Sequence, residues 1–308
     1  MSKKSYFGVN GVARNVKSWP VGIGNVARKA KSGYFGVGGV ARQFLSGVDP
    51  VLNNNDWATI RAVSDANQGA NYWSIGDRKA VTLNGTVGNL SLSNVTVYAF
   101  IIGFNHNSSV EGTNRIHFQL AKTALTGGTD VCLCDSSYSL TVSATGYFSM
   151  NRDASNGGGW ASSQMRTNIC GTSLSSYSGT IIAVIPAALR AVLKSVTKYT
   201  DNNGYGSTSA STVTATTDYF FLLSEFEVFG SITYGNKNEK NKQAQYAYYS
   251  AGNSKIKYKH DDTTTAAYWW LRSPLAKYSS YFARVFNNGT VDFGNANRSY
   301  GFAPGFCV

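Results

Sequence analysis

The residues best suited to chemistry in this chain are its three histidines and four cysteines. His106 and His117 flank a predicted turn that contains Glu111, and two imidazoles with a carboxylate form a ligand set that zinc accepts. The simpler interpretation, which we favour, is that both histidines are structural and are satisfied by hydrogen bonds. We therefore predict no metal site and no cofactor.

The four cysteines give only a weak signal of metal binding or catalysis. Cys132 and Cys134 stand two residues apart in an apolar run, so in a strand they share one face and are poorly placed to bridge each other. The start of the chain lacks an apolar core with a cleavage site, which predicts no secretory signal and a reducing cytosol as the first environment. We expect buried free thiols at Cys132, Cys134, Cys170 and Cys307.

The usual catalytic motifs are not found in the sequence. No glycine loop carries the lysine and serine of a phosphate-binding loop, and no nucleophile-elbow pattern occurs. Asp and Glu together number 16 in 308 residues, too few to form an obvious carboxylate pair. We therefore predict that the protein is not an enzyme.

The composition predicts a β-rich protein with a polar, aromatic surface. Charged residues make up 14% of the chain, against about 25% in typical proteins. Aromatic residues reach 13%, with 19 tyrosines, and hydrophobic residues 43%. No stretch approaches the roughly 18 apolar residues of a membrane span. These values exclude a coiled coil or a charged disordered chain and favour the α+β class with β dominant.

Apolar runs and turn residues place the predicted elements of the globular part. The predicted strands are Val95–Phe104, Arg115–Leu120, Val131–Leu133, Gly146–Met150 and a long central strand, Tyr219–Phe229. The predicted helices are Pro186–Lys194 and Glu239–Ser250. Residues 199–217, rich in Thr, Ser, Asn and Gly, are predicted to form a long surface excursion.

Residues 1–48 repeat with a period of 14, held at a glycine, a valine, an alanine and an arginine in each unit. They contain eight basic residues and no acidic ones. A 14-residue unit is too short to bury an apolar face alone, so it needs neighbours. Two interpretations stay open: burial across a homo-oligomer, with a trimer expected as in fibrous viral shafts, or an arm that docks on a scaffold protein. Nucleic-acid binding is the weaker alternative, because the basic residues follow the turn spacing.

The end of the chain carries the most specific motifs. Trp269-Trp270-Leu271-Arg272-Ser273-Pro274 precedes a polar, aromatic stretch, and the chain closes with Ala303-Pro304-Gly305-Phe306. With 102–107, Glu111-Gly112 and the N-terminal repeats, these motifs resemble the C-type-lectin-like domains of phage tail proteins and bacterial surface proteins. Many of those are variable proteins of diversity-generating retroelements. The resemblance implies a C-type-lectin-like domain over 49–308, preceded by the glycine-rich β-repeats of 1–48.

The resemblance also implies a rigid scaffold that displays a variable segment, here 275–303. In such retroelements template adenines are randomised, so Asn codons become Tyr, Ser, Asp, Gly, Phe or Arg codons. The lysine at 277 cannot arise from an Asn codon that is altered only at its adenines. Tyr, Ser, Asn and Gly with occasional Arg is also the composition of antibody paratopes. The candidate ligand-binding residues are Lys277, Tyr278, Ser280, Tyr281, Arg284, Phe286, Asp292, Phe293, Asn295, Arg298, Tyr300 and Phe302.

Strand alternation predicts how this segment is displayed. If Val285 and Val291 point inward, then Arg284, Phe286 and Asp292 face solvent beside the tyrosines of the loops. Trp269, Trp270 and Phe306 are assigned to the core. The alternative interpretation is an ordinary tyrosine-rich surface hairpin without a partner.

The function that the resemblance implies is a receptor-binding protein at a phage tail tip, assembled in the host cytoplasm and bound to a protein or glycan on the bacterial surface. Residues 1–48 would then contact other virion tail proteins. The alternatives are a structural tail or baseplate component and a host-encoded surface protein. The Glu-Pro-Asn and Trp-Asn-Asp signatures of calcium-dependent sugar binding are absent. Formylglycine-generating enzymes share the implied fold family but depend on paired reactive cysteines, which this sequence does not indicate.

Overall fold

The computed structural model describes residues 47–138 and 147–308, together with the backbone of six short strands before residue 46. It divides into two compact units, Met1–Pro50 and Val51–Val308. Among the described residues, every helix is too short or too polar to cross a lipid bilayer.

In the first unit each 14-residue repeat forms one antiparallel hairpin. The strands are β1 (Tyr6–Val9) with β2 (Val12–Asn15), β3 (Pro20–Ile23) with β4 (Val26–Lys29), and β5 (Gly33–Val37) with β6 (Val40–Leu45). The turns between them, and the side chains of the repeated valines, lie outside the described residues. Assembly through this unit therefore stays a prediction.

The second unit contains short helices and many strands. The helices are α1 (Trp57–Asp65), α2 (Gly69–Tyr72), α3 (Ser108–Glu111), α4 (Ile181–Val184), α5 (Ala187–Arg190), α6 (Glu225–Phe229) and α7 (Ala247–Ser250). The strands are β7 (Arg78–Val87), β8 (Leu90–Phe104), β9 (Ile116–Lys122), β10 (Val131–Cys132), β11 (Val196–Asp201), β12 (Val213–Asp218), β13 (Phe220–Phe221), β14 (Lys257–Lys259), β15 (Ala266–Ala267), β16 (Trp269–Pro274), β17 (Tyr281–Val285), β18 (Val291–Asn295) and β19 (Gly305–Cys307). The fold is thus α+β and rich in β structure.

The core is built on a five-stranded sheet with the order β13-β19-β9-β8-β7. The last strand of the chain lies inside this sheet, antiparallel to both β13 and β9. Phe118 and Phe306 stack at 5.3 Å across that pairing, and the Trp57 ring of α1 meets Phe118 edge-on at 5.7 Å. Buried aromatic packing of this kind fixes α1 against the sheet.

A smaller antiparallel sheet, β16-β17-β18, carries most of the segment predicted to be displayed. The β17–β18 pairing has a regular register, with Tyr281 opposite Asn295 and Arg284 opposite Asp292. The β16–β17 pairing is interrupted between Trp270 and Pro274. Within this interruption the Arg272 amide donates to the Leu223 carbonyl at 2.9 Å, so β16 also reaches the segment between β13 and α6.

Several predicted elements are confirmed and others are wrong. Val95–Phe104 lies within β8, and the strand predicted from Arg115 is β9. The long strand predicted over 219–229 is wrong, because only β13 is extended and α6 follows it. Ser224 accepts from the Glu227 amide, and the Glu227 carboxylate accepts from the Ser224 amide. This capping box starts a helix inside an apolar run.

Three further predictions are corrected by the structure. The described part of 146–150 forms turns and bends, and the Phe148 amide donates to the Asp135 carboxylate. Most of 239–250 is not α-helical, since the Tyr246 amide donates to the Glu227 carbonyl and only α7 forms. The predicted surface excursion 199–217 is confirmed only for the loop 202–212, because its two ends belong to the hairpin β11–β12.

Candidate functional site

The Trp-Trp-Leu-Arg-Ser-Pro motif anchors the small sheet to the core. The Trp269 and Trp270 side chains are fully buried. Their indole nitrogens donate to the Lys255 and Phe148 carbonyls, each at 2.9 Å. The prediction that both tryptophans belong to the core is confirmed. The motif therefore fixes a rigid base under the segment 275–303.

The arginine of this motif lies at the centre of a buried ionic network. Arg272 has no exposed surface, and its guanidinium donates to both carboxylate oxygens of Glu227 at 2.5 and 2.9 Å. Lys198 bridges Glu227 at 2.9 Å and Glu111 at 2.7 Å, and donates to the Tyr246 hydroxyl at 2.8 Å. Two cations thus face two carboxylates in the interior. Such pairing is what makes buried charge tolerable.

Burial and pairing shift the acid–base behaviour of this network. Burial raises the pKa of Glu111 to about 7, although Lys198 opposes the rise. Burial would also raise the pKa of Glu227, but Arg272 and Lys198 hold it below its usual value. Burial, aided by Lys198, lowers the pKa of His106 to about 3, so this imidazole is neutral at physiological pH.

His106 and His117 lie beside this network. The His106 ring stacks on Tyr246 at 3.7 Å, and His117 Nδ1 lies 3.2 Å from both the Tyr246 hydroxyl and the Cys307 thiol. The predicted hydrogen bonding is found at His117 Nδ1 and, through the Ala244 backbone, at His106, whereas Nε2 of both rings has no hydrogen-bond partner among the described residues.

The same histidines raise the question of a metal site. His106, Glu111 and Glu227 offer ligand atoms within 4.8 Å of one another. However, the Lys198 ammonium contacts both carboxylates at 2.9 Å or less. A positive charge therefore already occupies the space between the carboxylates, so the arrangement favours a structural ion network over a metal centre.

The four cysteines are free and buried, as predicted. The Cys132 and Cys134 sulfurs lie 3.8 Å apart, and burial raises the pKa of the Cys134 thiol. A thiol with a raised pKa is a poor nucleophile at neutral pH.

A second buried carboxylate positions the loop beside the small sheet. The Glu225 carboxylate accepts from the amides of Thr233, Tyr234 and Gly235, the last at 2.8 Å. Burial raises the pKa of Glu225, while these amides oppose the rise. The Ser273 hydroxyl donates to Glu239 at 2.6 Å, which ties the same region to the motif strand. As a result, the Tyr234 side chain stands at a fixed place next to β18.

One buried asparagine joins two loops that carry exposed tyrosines. The Asn156 side-chain nitrogen donates to the carbonyls of Tyr278 at 2.8 Å and Tyr281 at 2.9 Å. Its side-chain oxygen accepts from the Tyr205 amide at 2.7 Å. Gly204, at φ +64°, lies against the Asn156 carbonyl so closely that a Cβ there would approach within 1.9 Å. Only glycine permits this approach.

The result is a surface row of aromatic side chains, here called the aromatic row: Tyr234, Phe293, Tyr281 and Tyr278. Successive ring centroids are 5.1, 5.2 and 6.1 Å apart, and each pair meets edge to face. Tyr278 is 60% exposed at one end, and the other three are half-buried. Tyr205, 68% exposed, stands on the loop that Asn156 joins to Tyr278.

The opposite face of the hairpin β17–β18 carries a different cluster. The Arg284 guanidinium lies over the rings of Tyr268 at 4.1 Å and Tyr300 at 4.4 Å, and donates to Asp292 at 2.6 Å. Phe286 packs on Tyr268 at 4.7 Å. Strand alternation places Tyr281 and Phe293 on one face and Arg284 and Asp292 on the other.

The predicted site residues therefore do not form one surface. Val285 is buried and Val291, opposite it in the β17–β18 register, is half-buried, so the two valines share one face as expected but Val291 is only partly covered. Lys277 and Tyr278 are exposed, while Tyr300 and Phe302 have 1% and 0% of their surface exposed and cannot meet a ligand directly. The remaining predicted residues are half-buried: Ser280, Tyr281, Arg284, Phe286, Asp292, Phe293, Asn295 and Arg298.

Unpartnered polar atoms gather in the same segment. Arg284 Nη1, Asn295 Oδ1, Asn297 Oδ1 and Arg298 Nε are buried without a hydrogen-bond partner. Buried polar groups are normally paired, and an unpaired one costs about 1–3 kcal/mol. Asn295 lies opposite Tyr281 in the sheet, so polar hydrogen-bonding capacity adjoins the aromatic row.

Sequence comparison gives a family without an assigned activity. Residues 130–308 match the family model described as Domain of unknown function (DUF6273). The chain belongs to this family. No curated protein and no solved structure shows significant similarity to it.

Sequence reasoning missed three residues that shape the aromatic row. Asn156 precedes three glycines, and an asparagine beside glycines indicates a tight, hydrogen-bonded turn. That signal could have identified Asn156 as a residue that joins two loops by hydrogen bonds. Tyr205 lies 73 residues before Tyr278, and Tyr234 lies 44 residues before it. Both are far outside 275–303, and no sequence pattern connects them with that segment.

Proposed function

We propose that this protein is a receptor-binding protein whose aromatic row, with Tyr205 and Asn295 beside it, contacts a macromolecule on a bacterial surface. The observation that carries the proposal is the aromatic row itself. Soluble proteins mostly reserve contiguous exposed apolar surface for interaction sites. Tyrosines at the centre of interfaces commonly contribute about 2 kcal/mol or more each.

Rigidity of the scaffold supports the same function. Asn156 fixes the Tyr278 and Tyr205 loops, and the buried pair of Arg272 and Glu227 fixes the strand beneath them. A site that is already ordered before binding loses little conformational entropy on binding. Asn295, half-buried opposite Tyr281, adds a polar residue at the edge of the aromatic row.

The proposed setting is a phage tail tip, with a C-type-lectin-like fold as the display scaffold. It rests on the resemblance of the Trp-Trp-Leu-Arg-Ser-Pro motif, the Ala-Pro-Gly-Phe ending and the N-terminal repeats to those proteins. Residues 1–48 would attach the chain to other tail proteins or hold it in a homo-oligomer. Segment 275–303 would be the part that a retroelement diversifies.

Binding to intact cells tests the proposed function. Fluorescently labelled full-length chain is incubated with cells of the strain that carries the gene and of closely related strains. We expect saturable binding to at least one strain, and competition by excess unlabelled chain. Binding that is absent from all of these strains, or that unlabelled chain does not compete, would contradict the proposal.

The neighbouring DNA tests the diversification separately. We expect a reverse-transcriptase gene and a near-copy of the codons for 265–308 that differs at template adenines. A locus without either would remove the retroelement from the proposal and leave receptor binding to the cell assay.

A further inference from the structure

A cleft remote in sequence from the aromatic row carries an excess of positive charge. It is open to solvent, has a volume of about 440 Å³ and is lined by Arg61, Asp65, Asn114, Arg115, Lys194 and Tyr219, among others. A volume of this size is within the range of small-molecule sites, about 300–1,000 Å³. It shares no lining residue with the aromatic row.

One acidic residue in this cleft pairs with two of its cations. Arg61 donates to both Asp65 oxygens at 3.0 and 2.9 Å, and the Lys194 ammonium lies 2.7 Å from the same carboxylate. Lys194 also donates to the Ser64 hydroxyl at 3.2 Å. Burial lowers the pKa of Lys194, and Arg61 and Arg115 lower it further while Asp65 opposes them. Positive charge is therefore crowded here.

The third cation, Arg115, forms no salt bridge with a carboxylate of the described residues. Arg115 is half-buried, and its Nε and Nη1 atoms are buried without a hydrogen-bond partner in that part of the chain. Its backbone is fixed, because its amide donates to the Asn105 side chain at 3.1 Å and its carbonyl accepts from the Asn105 amide at 2.9 Å. Two buried guanidinium nitrogens without acceptors are unfavourable unless something supplies the missing acceptors.

We propose that this cleft binds a small organic oxyanion, a molecule that presents a phosphate or carboxylate group to Arg115. The planar guanidinium matches either group with two parallel hydrogen bonds. Lys194 adds charge at the same site, and the side chains of Asn114 and Tyr219 supply polar contacts for the body of the molecule. Leu174 lines the cleft as an apolar contact. This site is independent of the receptor-binding function proposed above.

Calorimetric titration of the full-length chain tests the proposal. The probes are inorganic phosphate, glucose 6-phosphate, glucuronate and, as the neutral control, glucose. We expect one site per chain for at least one anionic probe and none for glucose. Binding by the phosphate compounds alone, or by glucuronate alone, identifies which oxyanion the cleft prefers, and either result supports the proposal.

Matched variants locate the binding. Arg115→Gln should weaken it about tenfold or more, because a hydrogen bond to a charged group is lost. Arg115→Lys should weaken binding to an intermediate degree, since lysine keeps the positive charge but lacks the two parallel N–H donors of the guanidinium. Arg152→Gln removes the same charge at an exposed position and should change nothing.

Stability provides the second readout. Arg115→Gln should not lower the melting temperature of the unliganded protein, because Nε and Nη1 of Arg115 have no hydrogen bond to lose among the described residues. The proposal is overturned if no anionic probe binds at millimolar concentration, if glucose binds as well as glucose 6-phosphate, or if Arg115→Gln and Arg152→Gln weaken binding equally. A variant of the aromatic row should bind the anion normally, which separates this site from the proposed receptor site.

Discussion

Replacing Arg272 by Met should destabilise the protein strongly. The guanidinium is fully buried and donates to Glu227, to the Thr200 hydroxyl at 2.8 Å and to the Leu222 carbonyl at 2.8 Å. Its loss leaves Glu227 with Lys198 as its remaining cationic partner. Breaking a buried ion pair by removing one partner costs about 3–5 kcal/mol. That is a large part of the roughly 5–15 kcal/mol by which native proteins are stable.

The size of this effect is measured by urea unfolding followed by tryptophan fluorescence. Arg284→Met is the matched control, since Arg284 pairs with Asp292 at 2.6 Å but its side chain is 11% exposed and that of Asp292 24%. With its partly solvated pair and its stacking on two tyrosines, this control should lose only about 1–2 kcal/mol.

The double variant Arg272→Met/Glu227→Gln should lose less free energy of unfolding than its two single variants lose in sum, because the effects of contacting charges are not additive. Equal losses for Arg272→Met and Arg284→Met, or a loss below about 1 kcal/mol for Arg272→Met, would refute the view that Arg272 holds the small sheet on the core.

Three further predictions concern assembly, loop order and pH. The full-length chain should sediment as a homo-oligomer, with a trimer expected, and a chain starting at Asp49 as a monomer; a full-length monomer at micromolar concentration would count against assembly through the repeats. Asn156→Ala should lower the free energy of unfolding by about 1–3 kcal/mol and speed proteolysis near Tyr278, and unchanged proteolysis would show that Asn156 does not hold that loop. Between pH 6.5 and about 3, His106 binds fewer protons in the folded state than in the unfolded state. Its contribution to the free energy of unfolding is therefore complete above pH 6.5 and is lost as the pH falls, at up to about 1.4 kcal/mol per pH unit. Glu111, whose pKa is raised to about 7, acts in the opposite direction, so the test compares urea unfolding of wild type and His106→Gln at pH 7 and pH 5. Between pH 7 and pH 5 the variant should lose less stability than wild type, and identical losses would contradict a lowered pKa of His106.

The sequence predicts best where local pattern and burial agree. The apolar run Val95–Phe104 is long enough to identify a buried strand, and the adjacent tryptophans of 269–274 point to the core because nothing near them suggests exposure. The run 219–229 misleads because its apolar composition suits a strand equally well. The capping box formed by Ser224 and Glu227, three residues later, stabilises a helix at this point. A search for capping boxes would have found this helix.

The site is less predictable because its parts come together through tertiary contacts. Strand alternation correctly predicts that Val285 and Val291 share a face, but it does not show that Phe293 on that same face is only half-buried. Tyr300 was predicted to be exposed, yet it lies under Arg284 and beside Trp270 at 4.8 Å. Tyr234 reaches the aromatic row only because Glu225 binds the backbone around it. Such long-range hydrogen bonds leave no local pattern in the sequence.

The most direct test of receptor binding by the aromatic row compares two variants in the same cell-binding assay. The variant Tyr278→Ala/Tyr281→Ala/Phe293→Ala removes three of its rings. The control Tyr147→Ala removes a tyrosine that is 54% exposed and packs near Gly88, between β7 and β8. With about 2 kcal/mol for each central aromatic side chain, the triple variant should lose at least a hundredfold in affinity. The triple variant should stay folded with a lowered melting temperature, because Tyr281 and Phe293 lose their edge-to-face contact, and Tyr147→Ala should bind like wild type. Normal binding by the folded triple variant, or an equal loss in the Tyr147 control, would contradict the central claim.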